Sequence, residues 1–339
     1  MAHTILGIET SCDETAASVY HSDQGVLSNV LFSSIDEQKF YGGVVPELAS
    51  RTHLQKINEI INTALTTANT SLTDIDTIAV TNRPGLPGSL LVGVATAKAI
   101  AWAQQKKIIG INHLEGHAFS ACIENTIPFP FLCITASGGH TSMYIIEDYG
   151  KYRVIGQTLD DAAGEAFDKI AKMMNIPYPG GPQIETWGTQ AGCVDYFHYP
   201  RGNNKVLDFS FSGLKTAVLY DLVKRNAYDL PNKRFLQDDN LELKQQVSSS
   251  LLVCMRDIFT QKLSLALSQY PDVQAIAFVG GVACNNYLKQ QLSLFAHKKS
   301  LPFFAPSKQY CTDNAAMIAY VGNYKAVRGE FDDYNLDIL

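Results

Sequence analysis

The chain has no C-x-x-C pair. Its seven cysteines, Cys12, Cys122, Cys133, Cys193, Cys254, Cys284 and Cys311, are scattered and odd in number. That argues against a disulfide framework or a cysteine-built zinc ribbon and fits buried thiols in a reducing compartment. No apolar run reaches the roughly 18–20 residues that span a bilayer, so no membrane segment is expected. The start, MAHTILGIET, has no basic stretch ahead of a long apolar one, so it does not read as a secretory signal. The chain is therefore expected to be cytoplasmic. Excess positive charge is also missing: the net charge is −6, which excludes nucleic-acid binding driven by overall charge alone. Local basic pairs remain, such as Lys106-Lys107, Lys224-Arg225, Lys233-Arg234 and Lys298-Lys299. There is no low-complexity segment, no G-x-x-x-x-G-K-[ST] and no G-x-G-x-x-G, so neither a P-loop nor a Rossmann fingerprint is indicated.

What is present is 339 residues with 46% apolar content, enough for one large or two medium domains. Strands are expected at Thr4–Glu9, Ala17–Tyr20, Val26–Phe32, Ile75–Val80 and Lys107–Asn112. Leu54, Ile57, Ile60, Ile61 and Leu65 recur at helical spacing and predict a helix over Thr52–Ala68. The Pro/Gly-rich stretch Asn82–Gly88 leads into a second helix ending near Gln104. Such alternation indicates an α/β architecture. The pattern then restarts: LCITASGGHTSMYII repeats the strand, small polar turn and strand of LGIETSCDETAASVY. A duplicated domain follows, with lobe I over 1–128, lobe II over 129–312, and a last helix at 313–327 packing back on lobe I. Each lobe would offer its turn to a shared cleft. Helices are expected near 162–175, 211–226, 241–268 and 284–296, and a strand at Ala275–Val279. Residues 226–240 read as a surface loop, and the acidic tail after Gly329 as poorly ordered.

Four elements carry candidate chemistry. His113 and His117 in HLEGH stand one helical turn apart, the usual way a helix offers two imidazoles to one metal. The stretch resembles the protease motif H-E-x-x-H, but Glu115 sits about 200° around the helix from either histidine and points away. A third ligand must come from elsewhere; Asp313 is the first candidate, with Cys311 and His140 as rivals. The turn through Thr135, Ala136, Ser137, Gly138 and Gly139 is a candidate phosphate nest, joined by Gly280-Gly281 before Asn285 and by Tyr178–Pro182. Asp161, Glu165 and Asp168 fall at i, i+4 and i+7 of an expected helix, with Asp168 a candidate acceptor for ribose hydroxyls. Glu9, Asp13 and Glu14 crowd the first turn, where acids can position a water, a metal or an attacking amine. Against each stands a plainer reading: surface histidines, a simple hairpin, a solvated acidic face, a self-satisfied turn.

The motifs GIETSCDET (7–15), YGGVVPELASR (41–51), PGLPGSLLVG (84–93), HLEGH (113–117), SGGHT (137–141), DDAAGEAFDK (160–169), YPGGP (178–182), DFSFSGLKT (208–216), GGVACN (280–285) and CTDNAAMIAY (311–320) resemble, in order and over nearly the whole chain, the TsaD (Gcp/YgjD) family. The resemblance implies an actin-like ATPase fold of the ASKHA (Hsp70/sugar-kinase) class, two duplicated lobes around a central cleft. It implies transfer of threonylcarbamoyl from threonylcarbamoyl-AMP to N6 of adenosine 37 in tRNAs reading ANN codons, with release of AMP. By motif, His113, His117 and Asp313 would hold one divalent ion, iron or zinc. Thr135–Gly139, Asp168, Gly181, Glu185 and Asn285 would bind the adenylate, with Asp13 and Glu14 at the reacting centre. TsaB-like and TsaE-like subunits are the expected partners, and self-pairing stays open. The chain departs from the family pattern at Arg83, where relatives carry Gly, and at Cys284 and Asn286. The competing activity is a metallopeptidase of the O-sialoglycoprotein endopeptidase type, which the angle of Glu115 disfavours.

Overall fold

Alternating strands and helices fill the chain in a computed structural model that describes residues 2–38, 41 and 43–338. Gly42 of the YGGVVPELASR stretch lies outside the described residues. Two units are defined, Met1–Thr126 with Pro306–Leu339, and Ile127–Ala305.

The first unit opens with β1 (Thr4–Glu9), β2 (Glu14–His21) and β3 (Gly25–Ser33), followed by the short α1 (Ile35–Gln38) and the long α2 (Pro46–Thr67). Then come β4 (Thr77–Arg83), α3 (Pro87–Ala103), β5 (Lys107–Asn112) and α4 (His113–Phe119). The second unit holds β6 (Phe131–Ala136), β7 (Thr141–Asp148), β8 (Lys151–Gln157), α5 (Ala163–Met173), α6 (Gly181–Gln190) and α7 (Ser212–Lys224). It continues through the small hairpin β9 (Tyr228–Asp229) and β10 (Arg234–Phe235), α8 (Leu241–Gln269), β11 (Ala275–Val279), α9 (Asn286–Lys298) and β12 (Phe303–Phe304). The chain returns to the first unit for α10 (Lys308–Cys311) and α11 (Ala315–Val327).

The two sheets share one topology. The first runs β3-β2-β1-β4-β5 and the second β8-β7-β6-β11-β12. In each, a three-stranded antiparallel meander is extended by two parallel strands. Antiparallel neighbours need only a tight turn, whereas parallel ones need a helical crossover, which is why the meander is sequence-local and the parallel half is not. The register Glu9↔Ala16 and Ala136↔Thr141 places both small polar turns at the same corner of their sheets.

Parallel central strands are covered on both faces and read as continuous apolar runs. β1, β4 and β11 are buried almost throughout. In the first unit Leu6, Ile8, Ile78, Val80 and Ile108 pack with Ile57, Ile60, Ile61 and Leu65 of α2 and Val94 and Ala97 of α3. Leu54, placed by its spacing on that buried face, is exposed instead. α2 starts at Pro46 rather than Thr52, because Pro46 occupies its first turn, where no amide donor is needed.

Two stretches expected to be irregular are ordered. The hairpin β9–β10 lies inside 226–240. The acidic tail docks on edge strand β5: Asp332 N donates to Ile108 O at 2.9 Å, and Asp332 Oδ2 accepts from Gly110 N at 2.7 Å. Leu336 and Ile338 then pack against the core, and Lys98 Nζ donates to Leu336 O at 3.0 Å.

Candidate active site

Asn112, the last residue of β5, caps α4: its Oδ1 accepts from Leu114 N at 2.8 Å and Glu115 N at 3.3 Å. That cap starts a helix at His113, and His113 and His117 meet edge to face with ring centroids 4.6 Å apart. Both histidines are buried rather than on the surface. Gly116 lets α4 lie on α11, since a Cβ there would press within 3.0–3.1 Å of Ile318 and Met317. α11 in turn brings in Asp313, two residues ahead of its first turn and just before Asn314, whose side chain caps it by accepting from Met317 N at 3.0 Å. Asp313 Oδ1 stands 2.9 Å from His117 Nε2 and 3.5 Å from His113 Nε2. One donor atom from each of the three lies within 4.8 Å of the others, so the cluster could hold a metal ion. Cys311 is turned elsewhere, its thiol donating to Pro306 O at 3.4 Å, and His140 belongs to the other unit.

The donor set suits a divalent ion. Two imidazoles and one carboxylate are familiar ligands for zinc or iron, and both Nε2 atoms face the same Asp313 oxygen. His113 is also braced from behind, its Nδ1 lying 3.1 Å from Glu9 Oε2 and 3.0 Å from Ser11 Oγ. His117 Nδ1 is buried without a hydrogen-bond partner among the described residues. Burial pulls against an imidazolium at His113, but Asp313 and Glu9 outweigh it and raise the ring well above its ordinary value. Burial pushes Asp313 up, yet His113 and His117 hold it well below the carboxylate range.

Glu115 faces away from the cluster. Its carboxylate accepts from the Tyr324 hydroxyl and lies 3.3 Å from Lys325 Nζ, both on α11. Glu115 therefore does not stand where the general base of the H-E-x-x-H motif would.

The turn between β1 and β2 sits in the same unit. Asp13 O accepts from Ser34 N at 3.1 Å and Ser34 Oγ at 2.9 Å, and Glu14 Oε1 accepts from Ser33 Oγ at 3.1 Å. Burial, then the charges of Asp313 and Asp13, raise the Glu14 carboxyl well above its usual range. Motif reasoning overlooked His53. From α2 it reaches Cys12 O at 3.0 Å through Nε2 and Thr15 Oγ1 at 2.8 Å through Nδ1, clamping both ends of the turn. Its sequence signal was a histidine on the apolar face of a helix.

The remaining candidates lie in the second unit. Thr135 and Ala136 end β6 in full burial, and the Thr135 hydroxyl has no partner among the described residues. Ser137, Gly138 and Gly139 form the turn, closed by Ser137 N to His140 O at 2.8 Å, and Gly164 N of α5 donates to Ser137 O at 3.1 Å. Gly280 (φ +91°) lies against β6, where a Cβ would come 2.4 Å from Ala136 O. Asp168 Oδ1 accepts from Gly180 N at 2.7 Å, tying α5 to the start of α6 at Gly181. Its carboxyl is raised by burial despite the Gly180 and Gly181 amides. Glu185 Oε1 accepts from Asn286 N at 2.7 Å, tying α6 to α9, and Asn285 caps α9 through Leu288 N at 2.9 Å. Hydrogen bonds thus link the β6–β7 turn to α5, α5 to α6 and α6 to α9.

The acidic helix face is corrected. α5 begins at Ala163, so Asp161 lies outside it and pairs with Lys169 at 2.7 Å and Lys215 at 2.6 Å. Glu165 pairs with Lys169 at 2.8 Å and takes Ala162 N at 3.2 Å. Only Asp168 of the three turns to the glycine loops.

Two units built on one five-stranded mixed sheet define an actin-like protein of the ASKHA fold. HypF in its phosphate- and nucleotide-bound form superposes with a TM-score of 0.62 at 11% identity, covering 97% of this chain and 47% of HypF. The (R)-2-hydroxyglutaryl-CoA dehydratase component A of Acidaminococcus fermentans gives 0.56 at 14% identity, covering 96% and 99% of the two chains. Within that fold, residues 25–320 match the family TsaD: tRNA N6-adenosine threonylcarbamoyltransferase. The enzyme of that name from Geotalea uraniireducens (strain Rf4) is 44% identical over 337 residues, 99% of this chain and 95% of the relative. The chain belongs to the TsaD family of tRNA N6-adenosine threonylcarbamoyltransferases. Its activity is the t6A modification of tRNA, and tRNA is its macromolecular substrate. Among the described residues, no helix is long and apolar enough to cross a membrane.

Proposed function

We propose that the chain transfers threonylcarbamoyl from threonylcarbamoyl-AMP to N6 of adenosine 37 in tRNAs reading ANN codons, in the cytoplasm, with TsaB-like and TsaE-like subunits as partners. The observation that carries this reading is the convergence of His113, His117 and Asp313 beside the Asp13-Glu14 turn of the same unit. His113, His117 and Asp313 would hold one iron or zinc ion. When bound, that ion supplies Lewis acidity toward the adenylate.

The chain's own residues do the rest. The glycine amides of the turn 135–139 are suited to the phosphate and nucleoside, while those of Gly180 and Gly181 are held by Asp168. Asp168 ties α5 to α6 and Glu185 ties α6 to α9, and with Asn285 at the start of α9 they would form the polar lining of the adenylate site. The incoming N6 amine forms a C–N bond to the carbamoyl carbon, the C–O bond to the phosphate breaks, and AMP leaves with the electron pair. The amine proton passes to the carboxylate of Asp13 or Glu14. Burial and the charges of Asp313 and Asp13 raise the Glu14 carboxyl, which makes its ionised form a stronger base. Orientation and charge stabilisation supply most of the acceleration, because no covalent enzyme intermediate is needed.

The test is transfer of labelled threonine to unmodified tRNA, with the adenylate-forming enzyme present, with and without the partner subunits, and with His113→Ala as control. Label is expected in tRNA with the native chain and not with the variant. No label in any combination would overturn the assignment.

A further inference from the structure

Glu9 is a buried charge that the reaction does not use. It closes β1, is fully buried, and accepts from Ser11 N at 2.5 Å, Thr81 Oγ1 at 2.5 Å and His113 Nδ1 at 3.1 Å. A carboxylate taken out of water costs several kcal/mol unless it is both hydrogen-bonded and charge-compensated. The amide and the hydroxyl fill lone pairs but carry no charge. Among the described residues its one ion-pair partner is His113.

The contact also assigns a proton. A carboxylate can only accept, so the hydrogen between the two atoms sits on His113 Nδ1. In the neutral imidazole this leaves the lone pair on Nε2, the atom that faces Asp313 at 3.5 Å. Metal-bound histidines are typically braced in this way through their other nitrogen. His117 has no such brace, since its Nδ1 is without a partner among the described residues.

We infer that Glu9 is a positioning residue: it fixes His113 as the Nδ1–H tautomer with Nε2 toward a divalent ion, and it places a buried negative charge behind that ring. Thr81 and Ser11 hold Glu9 in place for this task. The inference rests on the metal reading of His113, His117 and Asp313.

The test uses the full chain and two probes, Zn2+ in competition with a chromogenic chelator and the visible spectrum of the Co2+ form. Glu9→Gln keeps the size and an acceptor oxygen and removes the charge. It is expected to weaken Zn2+ binding about 10- to 100-fold, with the shape of the Co2+ bands unchanged. Wild-type affinity in folded Glu9→Gln protein would overturn the inference. So would weaker binding with altered Co2+ bands, which would make Glu9 a ligand. Should Glu9→Gln fail to fold, Thr81→Val removes one support of the carboxylate, and its expected loss is up to about tenfold; unchanged affinity there also overturns it. Failure of the native chain to bind either ion, or retention of binding by His113→Ala, would instead remove the metal reading itself.

Discussion

Glu115 and Lys325 form an ion pair of 3.3 Å in the interior, with Tyr324 donating to the same carboxylate. The glutamate of HLEGH therefore fastens α4, which carries the two histidines, to α11, which begins just after Asp313. Removing one partner of a buried pair leaves the other uncompensated, at a cost of about 3–5 kcal/mol. Glu115→Gln is accordingly expected to lower the melting temperature by about 6–20 °C, at roughly 2–4 °C per kcal/mol. Metal-dependent peptide hydrolysis should be absent from the native chain. A wild-type melting curve for the variant would show that the pair carries no stability.

Loss of a metal donor should act on chemistry more than on folding. His117→Ala and Asp313→Asn are each expected to reduce threonylcarbamoyl transfer more than about 100-fold, beyond the loss typical of residues behind the ligands. Chelation of the native chain should abolish transfer, and added Zn2+ or Fe2+ should restore it. Transfer that survives exhaustive chelation would contradict a role for the ion.

The pH response of stability should pass through Asp161. Burial raises its carboxyl, but hydrogen bonds and charge from Lys169 and Lys215 outweigh burial and hold it below the ordinary value. The folded form then binds fewer protons than the unfolded form. This contribution is fully present above the unfolded value of about 4 and is lost as pH falls through the folded one. Urea midpoints at pH 7, 5, 4 and 3 should fall more shallowly for Asp161→Asn than for wild type. Parallel curves would show that another group governs the acid limb.

The tail is a structural strap. Asp332 pairs with Ile108 and Gly110 along β5, the edge of the first sheet, and Asn82 Nδ2 donates to Asp337 O at 3.0 Å. An uncovered edge strand invites pairing with other chains. Ending the chain at Gly329 should lower the melting temperature and produce larger species in light scattering. A monodisperse, equally stable truncation would show the tail to be dispensable.

Much of the fold was legible from local pattern. β1, β5 and β11 fall at the expected bounds because short apolar runs bounded by polar turns have little other choice. The duplicated strand–turn–strand survives as two sheets of one topology. The i, i+4 histidines and the averted Glu115 follow from helix geometry alone. Where local pattern misled, another force prevailed. α6 begins with Gly-Pro and reads as a loop, but Pro suits a first helical turn and Ile184 is buried. β8 alternates too weakly to stand out and is held by pairing with β7. Asp161 has helical spacing to Asp168, yet two lysines hold it outside α5.

By itself, then, the sequence determined the order of the main elements, the duplicated turns, the histidine pair and the family resemblance, all of which depend on neighbours a few residues apart or on the succession of motifs. Only the tertiary structure decided which carboxylate serves which partner. Glu9 meets His113 across 104 positions, Asp313 meets His117 across 196, and Glu115 meets Tyr324 across 209. Such pairs are set by parallel crossovers and by the return of α11. Propensity and periodicity act over one or two turns and carry no information about where the chain comes back.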